Sequence, residues 1–213
     1  MREISLRTRA LGGLALAATS ALVLAGCASG STDGGSSASA YKAADCAADS
    51  TSDNTFKVGT LLPITGSLAF LGPPEIAGVG LAVADINAAG GVNGKDACLY
   101  STDSGDSSDM SVSTASAEDL IKQKVSVVLG AASSSVSLNV VDSFTEAGIV
   151  EISPANTSAA LSGYSPFYFR TAPPDTVQGS ALGQLITGDG NSKVAFLVFN
   201  DSYGTGLRDS TEA

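Results

Sequence analysis

From residue 56 onward the chain alternates short apolar runs with longer stretches in which apolar residues recur every three or four positions. The short runs are 57–62, 97–102, 125–129, 149–152 and 194–199, and 167–170 adds a further extended stretch. Runs that stay apolar on both faces belong to strands covered on both sides, the condition of a parallel sheet. Between them, Ile76, Val79, Val83 and Ile86 repeat at helical spacing and stop at Gly90-Gly91. Ala117, Leu120 and Ile121 mark a second helix, and Val136, Val140, Val141 and Phe144 a third that stops at Gly148. Val177, Ala181, Leu182, Leu185 and Ile186 mark a fourth, stopped by Gly188. Strand and helix in regular succession predict an α/β fold built on a parallel, doubly wound sheet. Right-handed crossovers then place every strand-to-helix loop on one sheet edge, where such folds bind ligands.

The N-terminus carries a different signal. Arg2, Arg7 and Arg9 precede an apolar stretch from Ala10 to Ala25 that ends in Leu24-Ala25-Gly26-Cys27. This is the pattern of a secretory signal peptide, residues 1–26, and its end resembles the bacterial lipoprotein box, in which the cysteine is acylated and becomes the first mature residue. An ordinary secretory signal with a chance cysteine is the alternative. Lipid on Cys27 would tether the protein to the membrane, since each buried methylene contributes ~0.8 kcal/mol. Residues 27–45 are rich in Ser, Gly and Ala and are expected to act as a flexible tether.

Loss of residues 1–26 takes Arg2, Arg7, Arg9 and Glu3 with it and leaves 8 basic against 20 acidic residues, a net charge of −12. That balance disfavours nucleic acid and anionic headgroups as partners. With Cys27 assigned to lipid, Cys46 and Cys98 remain as a pair in an oxidising compartment and are expected to form a disulfide. The chain has no histidine, so neither a zinc site of the usual ligands nor any other cofactor is called for.

The run Val58-Gly59-Thr60-Leu61-Leu62-Pro63-Ile64-Thr65-Gly66, then Ala84-Asp85-Ile86-Asn87-Ala88-Ala89-Gly90-Gly91-Val92-Asn93-Gly94, resembles the first strand and helix of type I periplasmic binding proteins, specifically the leucine/isoleucine/valine-binding family. Gly130-Ala131-Ala132-Ser133-Ser134-Ser135, Ile152-Ser153-Pro154-Ala155-Asn156-Thr157, Tyr168-Phe169-Arg170-Thr171 and Asn200-Asp201-Ser202-Tyr203-Gly204 are similar to later turns of the same family, in the same order. The resemblance implies two lobes that close on a small solute, which is handed to the permease of an ABC transporter. On that reading 46–170 is lobe one, incomplete, and 171–213 is the hinge crossing and the start of lobe two. The chain is then expected to be an N-terminal fragment that binds solute poorly by itself.

The resemblance also assigns residues. The position of Ser133 would bind a ligand carboxylate, with Ser134 beside it; the carbonyl of Ala155 would accept from a ligand ammonium; Thr157 would offer its hydroxyl and backbone N–H; and Tyr203 would reach the cleft from lobe two. Each has a plainer reading. The serines open a helix, where Ser is a favoured cap, Ala155-Asn156-Thr157 is an ordinary turn after Pro154, and Tyr203 is an aromatic at a helix start. Ser137→Ala, one helical turn further on, is expected to do little to binding. Leu71 stands where amino-acid binders of the family often carry an aromatic, which leaves the ligand open. Asp103, Asp106 and Asp109 alternate with Ser and Gly in a pattern that suggests either a calcium loop or, more simply, a solvated turn. Two other readings remain: an exported serine hydrolase, which lacks a histidine base and a Gly-x-Ser-x-Gly elbow here, and a sensory ectodomain of the same fold.

Overall fold

The structure is a computed structural model and describes residues 45–46 and 56–213; the signal peptide, Cys27 and the tether up to residue 44 lie outside the described residues. Five parallel strands form one sheet: β1 (Lys57–Leu62), β2 (Cys98–Asp103), β3 (Val127–Gly130), β4 (Val150–Ser153) and β5 (Tyr168–Arg170), in the order β2-β1-β3-β4-β5. The connecting helices are α1 (Gly72–Ala88), α2 (Met110–Lys122) and α3 (Ser134–Ala147), with α4 (Asp175–Gly188) and α5 (Ser202–Glu212) following the sheet. The stretch 167–170, extended in the sequence reading, is the edge strand β5, whose Tyr168 stands in register with Glu151.

The strands are apolar on both faces because both are covered. Leu61 and Val128 pack with Leu120 of α2 and with Val136, Val140 and Phe144 of α3. On the opposite face Val58 and Leu99 pack with Val83 of α1. The approach of α2 dictates one glycine, since a Cβ on Gly59 would lie 2.8 Å from Leu120 Cδ2. Lys57 is buried at the start of β1 and its ammonium donates to the carbonyl of Gln123 just past α2, at 3.0 Å. Cys46 and Cys98 are joined by a disulfide with Cα atoms 4.8 Å apart, and Cys46 N–H donates to Leu99 O at 2.9 Å, which pins the segment preceding β1 to β2.

One expectation is corrected. Residues 194–199 form no strand; Leu197 and Phe199 are exposed, because a strand needs a neighbouring ladder and no described strand lies beside this segment. Helix α4 leaves part of its apolar face exposed. It packs on α5 through small residues, with Gly179 against Ser210 and Gly183 against Thr211, and leaves Val177 and Leu185 exposed. Among the described residues no helix is long and apolar enough to cross a membrane.

Candidate functional site

The strand order changes direction at β1, between β2 and β3, and the loops leaving the C-terminal strand ends there surround a cleft of about 440 Å³. A reversal of this kind is where doubly wound sheets hold ligands.

Two aspartates at the end of β2 build the wall after β1. Asp103 accepts from the N–H of Ile64 at 2.9 Å and of Thr65 at 3.2 Å, and from the Thr65 hydroxyl. Asp106 accepts from the N–H and hydroxyl of Ser67 and from those of Ser108. The bonds from Ser108 and Ser67 hold the Asp106 carboxyl well below the usual carboxylate range. Burial works against Asp103, yet the donors from Thr65, Gly105 and Ile64 keep it lowered as well. Gly66, at φ 86°, has no room for a side chain, since its Cβ would fall 2.5 Å from Asp106 Oδ2. Asp109 caps α2 through the N–H of Ser111. Asp103 and Asp106 therefore clamp the loop, with Asp106 buried, while Asp109 stays exposed. The clamp presents Leu68, Phe70 and Leu71 as an apolar wall of the cleft.

The floor comes from β3 and β4. Ser133, Ser134, Ala155 and Thr157 all line the cleft, and Tyr203 reaches it from the first turn of α5, so the structure brings all five sequence-predicted positions to one place. They are not equivalent. Ser133 holds the N-cap position of the 14-residue helix α3, but its side chain makes no capping hydrogen bond. The Ser134 hydroxyl is buried and accepts from the N–H groups of Thr157 and Ser158, each at 3.2 Å. The Thr157 N–H, expected to reach a ligand, donates to the Ser134 hydroxyl in this structure. The Thr157 hydroxyl is different: it is buried and has no partner among the described residues. Asp175 N–H donates to Thr157 O at 2.7 Å and Ser202 N–H to Ser135 Oγ at 3.0 Å, which fastens α4 and α5 to the same turns.

Among the described residues Asp201 is the one charged residue in the lining, and its Oδ1 also caps α5 through the N–H of Gly204. Gln178 and Phe199 line the cleft too, and sequence reasoning missed both. It also missed the partners of Ser137. Ser137 is fully buried, donates to Glu151 Oε1 at 2.6 Å and accepts from Asn156 Nδ2 at 2.7 Å. The Tyr168 hydroxyl donates to Asn156 Oδ1, and Ser153 Oγ donates to Ala131 O at 2.6 Å. The available signal was Glu151 itself, an acid within the apolar run 149–152.

Residues 55–213 match the family model described as periplasmic binding protein. The chain is 34% identical over 157 residues to a Leu/Ile/Val-binding protein homolog of Brucella abortus, covering 73% of this chain and 42% of that protein. Among solved structures it is similar to the branched-chain amino acid transporter substrate-binding protein LivJ of Streptococcus pneumoniae, crystallised with isoleucine (30% identity, TM-score 0.65, 74% of this chain and 46% of the other). A solute-binding protein of an ABC transporter from Rhodopseudomonas palustris, crystallised with 3,4-dihydroxybenzoic acid, is similar at 25% identity and TM-score 0.65, over 74% of this chain and 43% of the other. The chain belongs to the type I periplasmic binding proteins, a family of substrate-binding proteins rather than enzymes. It spans less than half the length of these relatives.

Proposed function

We propose that this chain is the solute-capturing part of an extracytoplasmic binding protein that serves an ABC importer and is held at the membrane by lipid on Cys27. The solute we infer is a small amino acid with an aliphatic side chain. The observation that carries this reading is the pairing of two hydroxyls on one floor: that of Ser133, free of capping duty at the N-terminus of α3, and that of Thr157, buried without a partner among the described residues. A helix N-terminus favours an anion, and an unpaired buried hydroxyl is costly until something fills its hydrogen bond. A carboxylate satisfies both, and the apolar wall of Leu68, Phe70 and Leu71 suits an aliphatic body.

Bound aromatic acids among the structural relatives make a simple carboxylate the second reading. Asp201, the single charge among the described lining residues, favours the zwitterion, since it would attract an ammonium and repel a further acid. A thermal-shift panel of amino acids, hydroxybenzoates, amides and urea tests the choice. A solute at 100 times its dissociation constant stabilises by ~2.7 kcal/mol. Leucine, isoleucine or valine is expected to raise the melting temperature most. A response confined to benzoates would replace the amino acid, and one confined to urea or amides would defeat the carboxylate.

A further inference from the structure

We propose that Glu151 is a positioning residue for the cleft, setting from beneath the placement of the Ala131–Ser133 turn and of Asn156, so that solute affinity follows its protonation. The inference rests on the solute-capturing reading above but concerns a residue that does not line the cleft. Glu151 is central in β4 and only 1% exposed. Its Oε1 accepts from the Ser137 hydroxyl at 2.6 Å and from Ala131 N–H at 3.3 Å, and Ala131 is two residues before Ser133. Ser137 in turn accepts from Nδ2 of Asn156, a residue of the cleft lining. One carboxyl therefore reaches both turns that form the floor.

The two protonation states hold these bonds with different strength. Oε2 is buried with no partner among the described residues, so a proton placed there has no acceptor and leaves Oε1 a neutral, weaker acceptor for Ser137 and Ala131. A proton on Oε1 must displace one of its two donors, because Ser137 and Ala131 both donate to that atom. Both bonds are strongest to the ionised carboxylate, so protonation loosens the turn. Burial pushes Glu151 up to about 7, against the opposing hydrogen bonds from Ser137 and Ala131, so both forms are populated near neutrality.

From β5, Tyr168 stands in register with Glu151; burial first, and the Glu151 charge second, push it up to about 12, so it stays neutral. Arg170, further along β5, donates to Ser158 O and Ser162 Oγ. From α3 the facing group is Ser137, while the acids of that helix, Asp142 and Glu146, are exposed. Strand β3 and the 153–158 turn carry no ionisable side chain.

The test has two arms on the full-length protein. Amide resonances of Ala131 and Asn156 are followed from pH 5 to 9 without solute, and L-leucine affinity is measured by calorimetry at pH 6, 7 and 8. We expect both amides to shift together with a midpoint near 7. If only the ionised form is competent, affinity falls roughly tenfold from pH 8 to pH 6, in step with the competent fraction. Glu151→Gln abolishes the shared midpoint and flattens the affinity profile. Amides that do not titrate between pH 5 and 9 overturn the proposal even if the variant fails to fold, and so does a titration that leaves affinity unchanged. Leucine bound at no pH counts against the proposed solute instead, and the amide arm then decides the role of Glu151.

Discussion

Thr157 gives its backbone N–H to the Ser134 hydroxyl at 3.2 Å while its own buried hydroxyl has no partner among the described residues. The two residues, both predicted to touch ligand, thereby divide into one that ties the floor together and one that waits to be satisfied. Thr157→Val removes the unpaired oxygen, so the unliganded protein is expected to gain stability, by up to about 1–3 kcal/mol, while solute affinity drops. Urea denaturation without solute reads the first effect and calorimetry the second. A variant that is less stable without solute would mean that the hydroxyl is not unsatisfied in the free protein.

Ser134→Ala should show the opposite split from Ser133→Ala. Loss of the Ser134 oxygen leaves two N–H groups, of Thr157 and Ser158, without their acceptor, at a cost of about 1–3 kcal/mol of stability for each buried group. Ser133 makes no capping bond, so Ser133→Ala costs well under the ~1 kcal/mol of a working cap. If the Ser133 variant is the less stable of the two, its hydroxyl is a cap after all.

Stability should depend on pH with two opposing limbs. Asp106 lies below its ordinary value of 3.8, so its contribution is present above that value and is lost as pH falls beneath it. Glu151 lies above its ordinary 4.5, at about 7, so its contribution is present below 4.5 and is lost as pH rises towards 7. Denaturation midpoints from pH 2 to 8 are expected to rise and then fall. Asp106→Asn lowers stability above pH 4 by about 1.5–3 kcal/mol and flattens the acid limb. Glu151→Gln flattens the decline between 4.5 and 7. An unchanged acid limb in the Asp106 variant would remove the clamp from the account.

The doubly wound sheet is legible in the sequence because strands buried on both faces must be apolar throughout, as 57–62 is, and helices between them must repeat at helical spacing, as Val136, Val140 and Phe144 do. The same logic fails at 194–199, where hydrophobicity marks a segment that seeks burial but cannot say whether a neighbouring strand is there to pair with. At the site, position is legible and role is not. Ser133, Thr157 and Tyr203 were placed at one edge by topology and resemblance. What separates Ser133 from Ser134 is the direction of one hydroxyl, which no local pattern encodes. Ser137 and Glu151 are 14 residues apart, and only the packing of α3 on β4 makes them partners.

The Cys46–Cys98 disulfide closes a separation of 52 residues, which in the chain-entropy model contributes about 4 kcal/mol. Cys46→Ser is expected to lower stability by up to that amount, and protein recovered from the cell envelope should block no thiol at Cys46 or Cys98 before reduction. Two free thiols in native material would show that the bond does not form in the cell.

On the proposed reading the cleft takes a carboxylate between Ser133 and Thr157. Calorimetric titration of the full-length protein with L-leucine and with L-leucinamide, which replaces the carboxylate by a neutral amide, tests it most directly. Hydrogen bonds to a charged group contribute ~1.5–3 kcal/mol each, so leucine is expected to bind at least roughly tenfold more tightly. Equal affinity for the two, or tighter binding of the amide, would show that no carboxylate is held between these hydroxyls.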